Sequence, residues 1–394
     1  MHLSPVVKSI VEPATLLMAR RSRELRAQGR DIVDLSLGEP DHAPPAFALE
    51  AAHEALRGPW HKYTPVNGYL DVREAIAAKL QRDNGLAYSP EQIVISTGAK
   101  HSIMNAVMAL CGPGDEVVIP APYWVSYSEQ VKLAGATPVI VRSNLDEDWK
   151  APVDRIASAI TPRTRLLMFS SPCNPSGSVL TRTELEALAA VVARHPGLYV
   201  IADEIYEHIV FEGEHVSFAS LPGMAERTIT VNGLSKAFAL TGWRIGYIGA
   251  PLWIAQACTK VQGQFTSGAN SIAQRVTIAC MEADPALLAP MRADFLRRRD
   301  LTLTAMKAIP GWRCNVPQGA FYLLPDVSAS INGSSIKGAV DLSLHLLDTA
   351  GVSLVEGASF GAEGTLRISY ATSDDKLVEA MARVAKAVAQ LATA

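Results

Sequence analysis

The chain has 394 residues, of which 48% are apolar and 19% charged, with a formal net charge of −3; this describes an ordered protein too long for one small core, so two structural units are expected. The balanced charge, and the lack of any basic run interleaved with aromatics, remove the electrostatic case for nucleic acid and leave small acids held by local cations. Five cysteines, at 111, 173, 258, 280 and 314, form no C-x-x-C, which argues against a disulfide framework or zinc site, and Lys8, Glu12, Arg20 and Arg21 interrupt every N-terminal apolar run, so neither a signal core nor a membrane span is expected and the reading is cytoplasmic.

No H-E-x-x-H, P-loop or G-x-G-x-x-G occurs, so the usual markers of metal hydrolysis, nucleotide hydrolysis and nicotinamide binding are missing. Helical spacing over 13–27, with Pro13 in the first turn and Gly29 as the stop, is followed by a predicted strand over 31–37 that enters Gly38-Glu39-Pro40-Asp41. Gly38 either makes a tight turn or lets backbone approach a ligand. A short helix over 46–56 leads to the loop 61–68, whose Tyr63 is expected to be partly exposed, either as an ordinary amphipathic aromatic or as a ligand contact. A helix over 71–82 closes at Asn84-Gly85.

Next comes a strand over 93–96, the turn Thr97-Gly98-Ala99-Lys100 and a helix over 101–110. Strand, glycine turn and helix leave free N–H groups at a helix start, a ready phosphate site, although many such turns bind nothing. Lys100 is electrostatically ill placed on a first helical turn, which favours a functional task over a surface one. A strand over 115–119 stops at Pro120-Ala121-Pro122, just before Tyr123-Trp124; the indole can stack on a flat ring or fill core.

Segments at 137–141, 153–160, 165–169, 181–193 and 198–202 then alternate as βα units, indicating a mainly parallel sheet covered on both faces. Ligands of such sheets gather beyond the carboxyl ends of the strands. Two loops there carry candidates. Pro172 and Pro175 fix the backbone around Asn174, and Asp203-Glu204-Ile205-Tyr206 follows a strand, so that a helical turn would set Asp203 and Tyr206 on one side. A buried strand-end carboxylate needs a cation, either a protonated ring nitrogen or a structural salt bridge.

Residues 228–231 alternate β-branched side chains, Asn232-Gly233 is expected to break the strand, and 243–248 resumes an apolar run. Lys236 therefore sits on a turn between buried strands, with Ser235 beside it. Most lysines are solvated surface charges, but one against an apolar wall is partly desolvated, which lowers its amine pKa and favours attack on a carbonyl, the start of Schiff-base chemistry. Arg244, a charge inside an apolar run, is expected to need a buried anion such as a phosphate. Helical patterns at 252–261, 271–282 and 285–308 follow, the last with Arg297-Arg298-Arg299 read as a solvated face. Beyond Pro310, strands at 319–324, 352–355 and 365–370 and helices at 341–350 and 374–391 make a second, smaller α+β unit, in which Arg367 is poised to clamp a carboxylate.

Gly38-Glu39-Pro40-Asp41, Lys62-Tyr63, Pro122-Tyr123-Trp124, Ser171-Pro172-Cys173-Asn174-Pro175, Asp203-Glu204-Ile205-Tyr206, Ser235-Lys236, Gly242-Trp243-Arg244 and Leu366-Arg367, in this order along nearly the whole chain, resemble the fold-type I pyridoxal-phosphate aminotransferases. More narrowly they are similar to the bacterial aspartate aminotransferase branch. The resemblance implies a large α/β domain over 46–285 and a small domain, 1–45 with 286–394, that closes over the substrate. It implies pyridoxal 5'-phosphate joined covalently to Lys236, which also moves the substrate proton as general acid and base. Asp203 would keep the ring nitrogen protonated, Asn174 and Tyr206 would bond the ring oxygen, and Trp124 would stack on the ring. The phosphate would be held by Gly98, Ala99, Ser235, Arg244 and Tyr63 of a second subunit in a homodimer. Arg367 would take the substrate α-carboxylate, with Gly38, Trp124 and Asn174 lining the same site, and Lys100 would read a distal carboxylate.

The implied reaction is a ping-pong exchange between an L-amino acid, aspartate, and a 2-oxo acid, 2-oxoglutarate. The alternatives are prephenate, aromatic or basic amino-acid substrates, a β-lyase on the same cofactor, and a non-catalytic cofactor-binding module. Two positions depart from the family pattern: Gly233 stands where many relatives have serine, and Ala99 where close aspartate-specific relatives often have glycine.

Overall fold

The computed structural model describes residues 3–331 and 336–391. Its main feature is a seven-stranded sheet built from β1 (Ile93–Ser96), β2 (Glu116–Pro120), β3 (Thr137–Val141), β4 (Thr164–Ser170), β5 (Tyr199–Asp203), β6 (Thr228–Gly233) and β7 (Gly246–Gly249), in the spatial order β1-β7-β6-β5-β4-β2-β3. Only β7 runs antiparallel to its neighbours. Its strands are near-continuous apolar runs because both faces are covered, as the sequence implied. Val117, Ile119, Leu166, Met168 and Ile201 face the helices Ala99–Leu110 and Leu252–Phe265. Val118, Leu167, Phe169 and Val200, at the alternate positions, face the helix Arg182–Ala193.

Around the sheet edge lies a second arrangement. Val33–Asp34 pairs in parallel with Val352–Ser353, and Val355–Glu356, Leu366–Ser369 and Tyr322–Leu323 form an antiparallel sheet in that order. Phe295, Phe321, Leu346, Ile368 and Val384 make its core together with Val33 and Leu35, so an N-terminal segment packs with the C-terminal third.

Several expectations need correction. Asn232-Gly233 does not break β6: the two residues pair with Tyr247 and Gly246. A Cβ on Gly233 would meet Ile245 O at 2.6 Å and Gly246 Cα at 2.9 Å, so this glycine serves close strand approach. Arg244 is not inside a strand; it is exposed, at φ 56°, in the turn before β7. The segment 31–37 pairs as a strand only at Val33–Asp34, and 352–355 splits into two strands with different partners, because each partner is itself only two to four residues long. The run Arg297-Arg298-Arg299 is not a solvated face. Arg298 and Arg299 lie on the same side of the helix Ala289–Met306 as Phe295 and Thr302, and both are buried against Asp41, Glu212 and Pro317 O. Only Arg297 is exposed, paired with Asp294 and Asp374.

Candidate active site

A cavity of about 240 Å³ opens at the carboxyl ends of β1, β4, β5 and β6, roofed by the small sheet and the segment around Gly38. This is where a mainly parallel sheet is expected to hold a ligand. Gly38, Ala99, Lys100, Trp124, Asn174, Asp203, Tyr206, Ser235, Lys236, Arg244 and Arg367 all line it. Gly98 caps the helix that brings Ala99 and Lys100 there. Tyr63 is not among the lining residues: it is 98% exposed.

Lys236 stands on the turn after β6, and its Nζ donates to Gly38 O at 2.5 Å. Burial holds its amine down to about 8, with Arg367 and Arg244 adding repulsion against the pull of Glu39. An amine so placed is part neutral near pH 8 and therefore nucleophilic. Asp203 is the last residue of β5 and is 4% exposed. Its carboxylate accepts from the Tyr127 hydroxyl at 2.7 Å and from the Ile205 N–H at 3.2 Å, both neutral donors. Burial therefore dominates and pushes it up to about 6.

Arg367 is the converse, a cation 1% exposed. Its guanidinium donates to Asn174 Oδ1 at 3.1 Å and Ser36 O at 2.5 Å, and Nε has no partner among the described residues. A buried guanidinium met only by neutral oxygens is under-compensated, and a carboxylate entering the cavity would complete it. Because Asn174 Oδ1 faces the guanidinium, its Nδ2 is left for the cavity. Tyr206, buried on the turn after Asp203, has its hydroxyl 2.8 Å from that of Tyr322, and burial raises both phenols.

At the opposite end Gly98 adopts φ 85° as N-cap of the helix Ala99–Leu110, whose first N–H groups have no intrahelical acceptor. A Cβ on Gly98 would lie 2.3 Å from Arg244 Nη2. Glycine there lets the guanidinium close onto the helix start, where Arg244 Nη2 donates to Thr97 O at 3.5 Å, while Nη1 donates to Thr241 O in its own turn at 2.9 Å. Buried Ser235 lines the same cavity, so the helix-start amides, this hydroxyl and the guanidinium offer the donors that an anion would need. The alanine at 99 leaves the backbone N–H in place. Gly233, by contrast, is occupied in the β ladder and offers no hydroxyl.

Lys100 is exposed at the cavity rim with Nζ 5.3 Å from the centre of the Trp124 ring. Partial desolvation and the charge of Arg244 lower its ammonium. Sequence reasoning missed Tyr127, Ser170, Tyr322, Thr15, Leu16 and Leu37, which also line the cavity. Tyr127 had a signal: it lies three residues beyond Trp124, and the two rings meet edge to face at 5.7 Å. Tyr322 had none beyond being an aromatic in a predicted strand.

The donor set fits pyridoxal 5'-phosphate. Asp203 lacks a cation that a protonated ring nitrogen would provide, the Gly98 cradle suits a phosphate, and the lowered amine of Lys236 suits an aldehyde. The cluster Glu204, Glu207 and His215 lies among the described residues with ligand atoms within 4.8 Å of one another. Lys79 already pairs with Glu207 there, which accounts for its charge without a metal.

A family model described as aminotransferase class I and II matches residues 30–384. The chain is 47% identical over 98% of its length, and 82% of the relative's, to a bifunctional aspartate aminotransferase and glutamate/aspartate-prephenate aminotransferase of Petunia hybrida. It is 42% identical, over 97% of both chains, to an aspartate/prephenate aminotransferase of Cereibacter sphaeroides. Among solved structures, the aspartate aminotransferase of Rhizobium meliloti superposes with a TM-score of 0.95 at 38% identity, covering 99% of this chain and 100% of that one. The Thermus thermophilus aspartate aminotransferase with maleate gives 0.93 at 41% identity, covering 98% and 100%.

Proposed function

The chain belongs to the class I and II aminotransferases, which depend on pyridoxal 5'-phosphate, and on that premise we propose that it moves the amino group of L-aspartate to 2-oxoglutarate in two half-reactions sharing one cavity. The observation that carries this reading is the pair of cations facing one cavity. Arg367 is buried on one wall with an unfilled guanidinium, and Lys100 stands at the rim. Two separated cations match a substrate with two carboxylates. Prephenate is also an acid with two carboxylates, and relatives named for it make it the second reading.

The cofactor, when bound, supplies an aldehyde that pairs with amines and a ring that accepts electrons. Lys236 Nζ would hold it and, once displaced, would take the proton from the substrate α-carbon and deliver it to the cofactor carbon that had carried the aldehyde, a task that an amine titrating at about 8 can perform in both directions. Asp203 keeps a proton on the ring nitrogen by offering a buried counter-charge. Asn174 Nδ2 and the Tyr206 hydroxyl would orient the ring through its oxygen, Trp124 would cover its face, and Gly98, Ala99, Ser235 and Arg244 would hold the phosphate. Arg367 fixes the α-carboxylate, with Gly38 beside it, and so sets which bond at the α-carbon faces Lys236.

The described residues of 1–45 and 286–394 form the small domain that closes over 46–285, a reading supported by the pairing of Val33–Asp34 with Val352–Ser353; 1–2, 332–335 and 392–394 lie outside the described residues. The protein acts as a homodimer in the cytoplasm. The exposure of Tyr63 supports a second copy against this loop, with Tyr63 reaching that copy's phosphate. Among the described residues no helix is long and apolar enough to cross a membrane.

The reading is tested with a donor panel. Lys100→Ala should lower kcat/KM for aspartate by about 10- to 100-fold, the worth of one charge-assisted contact, while leaving an apolar donor within about twofold. Equal losses for both donors would remove the case for a second carboxylate.

A further inference from the structure

One buried side chain outside the expected set touches three groups inside it. Tyr322 is 1% exposed, on the strand that pairs with the Arg367 strand through Ser369↔Tyr322. Its hydroxyl lies 2.8 Å from that of Tyr206, with the rings at 83° and their centres 5.9 Å apart. The Arg367 guanidinium sits over its ring at 4.6 Å. A Cβ on Gly38 would come 2.3 Å from the Tyr322 oxygen. Glycine at 38 is thus what lets the phenol reach Tyr206, a more specific demand than a tight turn.

Resting on the aminotransferase reading above, we propose that Tyr322 is a positioning residue whose hydroxyl donates to the Tyr206 oxygen and so commits the single Tyr206 proton to the oxygen on the cofactor ring. A phenol has one proton and two acceptor lone pairs. If Tyr206 gives its proton to the cofactor, the 2.8 Å contact can persist only with Tyr322 as donor. Donation into an oxygen makes its own O–H a stronger donor, so the chain Tyr322 to Tyr206 to ring oxygen is cooperative. The Arg367 charge over the ring acts in the same direction: burial raises the Tyr322 phenol, and the guanidinium opposes that rise and so strengthens its O–H as a donor. A tyrosine serving only as core would need the ring and not the hydroxyl.

The test is a pH titration of the bound-cofactor absorbance in the holoenzyme. Donors to the ring oxygen favour its ionised form, so losing one moves the midpoint to higher pH. Tyr322→Phe, which keeps the ring, should raise the midpoint by about half a pH unit, and Tyr206→Phe should raise it further. Because Tyr322 acts through Tyr206, the double variant should titrate like Tyr206→Phe alone. A Tyr322→Phe titration matching the wild type, or a double variant that adds the full Tyr322 shift to that of Tyr206, overturns the proposal. A cofactor that shows no titration in the wild type overturns the underlying reading instead.

Discussion

The Tyr127 hydroxyl donates to Asp203 Oδ2 at 2.7 Å, and with the Ile205 N–H this leaves a buried carboxylate held by neutral donors. The consequence for the cofactor-free protein is a pH-dependent penalty. The Asp203 carboxyl is raised from its ordinary 3.8 to about 6 by burial, so the folded state prefers it protonated. Stability from this group is full below about pH 4 and is lost as pH rises through about 6, because the unfolded chain releases the proton more easily. Asp203→Asn should therefore stabilise the cofactor-free protein by about 1–3 kcal/mol at pH 8 and by little at pH 4. With cofactor bound the order should reverse, since the ring nitrogen loses its counter-charge. Thermal unfolding at both pH values, with and without cofactor, reads this; a variant less stable than wild type in the cofactor-free form at pH 8 would contradict it.

Arg367 presents the opposite imbalance, a buried cation whose Nε has no partner among the described residues. Arg367→Gln should cut kcat/KM for every amino donor by about 10²- to 10³-fold, in keeping with the loss of a desolvated charge pair. Unlike most core changes it should leave the melting temperature of the cofactor-free protein unchanged or raised, because a buried unpaired charge is removed. A large loss of stability with intact kcat/KM would assign Arg367 to the scaffold.

In the proposed site Gly98 would serve the phosphate end. At φ 85°, and with Arg244 Nη2 2.3 Å from where a Cβ would sit, alanine is strained and pushes the guanidinium off the helix start. Gly98→Ala should weaken pyridoxal 5'-phosphate binding about tenfold or more while changing the affinity for pyridoxal, which lacks the phosphate, by less than about threefold. Equal weakening of both ligands would argue against a phosphate cradle at this turn.

The cavity walls were readable where function and local chemistry coincide. Asp203, Asn174 and Lys236 follow strands that end in polar turns, and the strand rhythm places such turns at one edge of a sheet. Tyr322 was not readable, since nothing in a predicted strand says that it will meet Tyr206, 116 positions away. The location of Arg244 was misjudged because its apolar neighbours look like a strand, whereas the chain turns through a positive φ first. Arg298 and Arg299 misled in the other direction: three adjacent arginines look solvated, yet the helical stripe set by Phe295 and Thr302 carries two of them inward to Asp41 and Glu212.

Lys236, its amine lowered by burial and lining one cavity with Asp203, is proposed to hold the cofactor covalently. Borohydride reduction of the holoenzyme followed by peptide mass mapping tests it most directly. One pyridoxyl-phosphate adduct is expected, on the peptide containing Lys236, and none in Lys236→Ala. An adduct on another lysine, or no covalent adduct at all in the active wild-type enzyme, would contradict it.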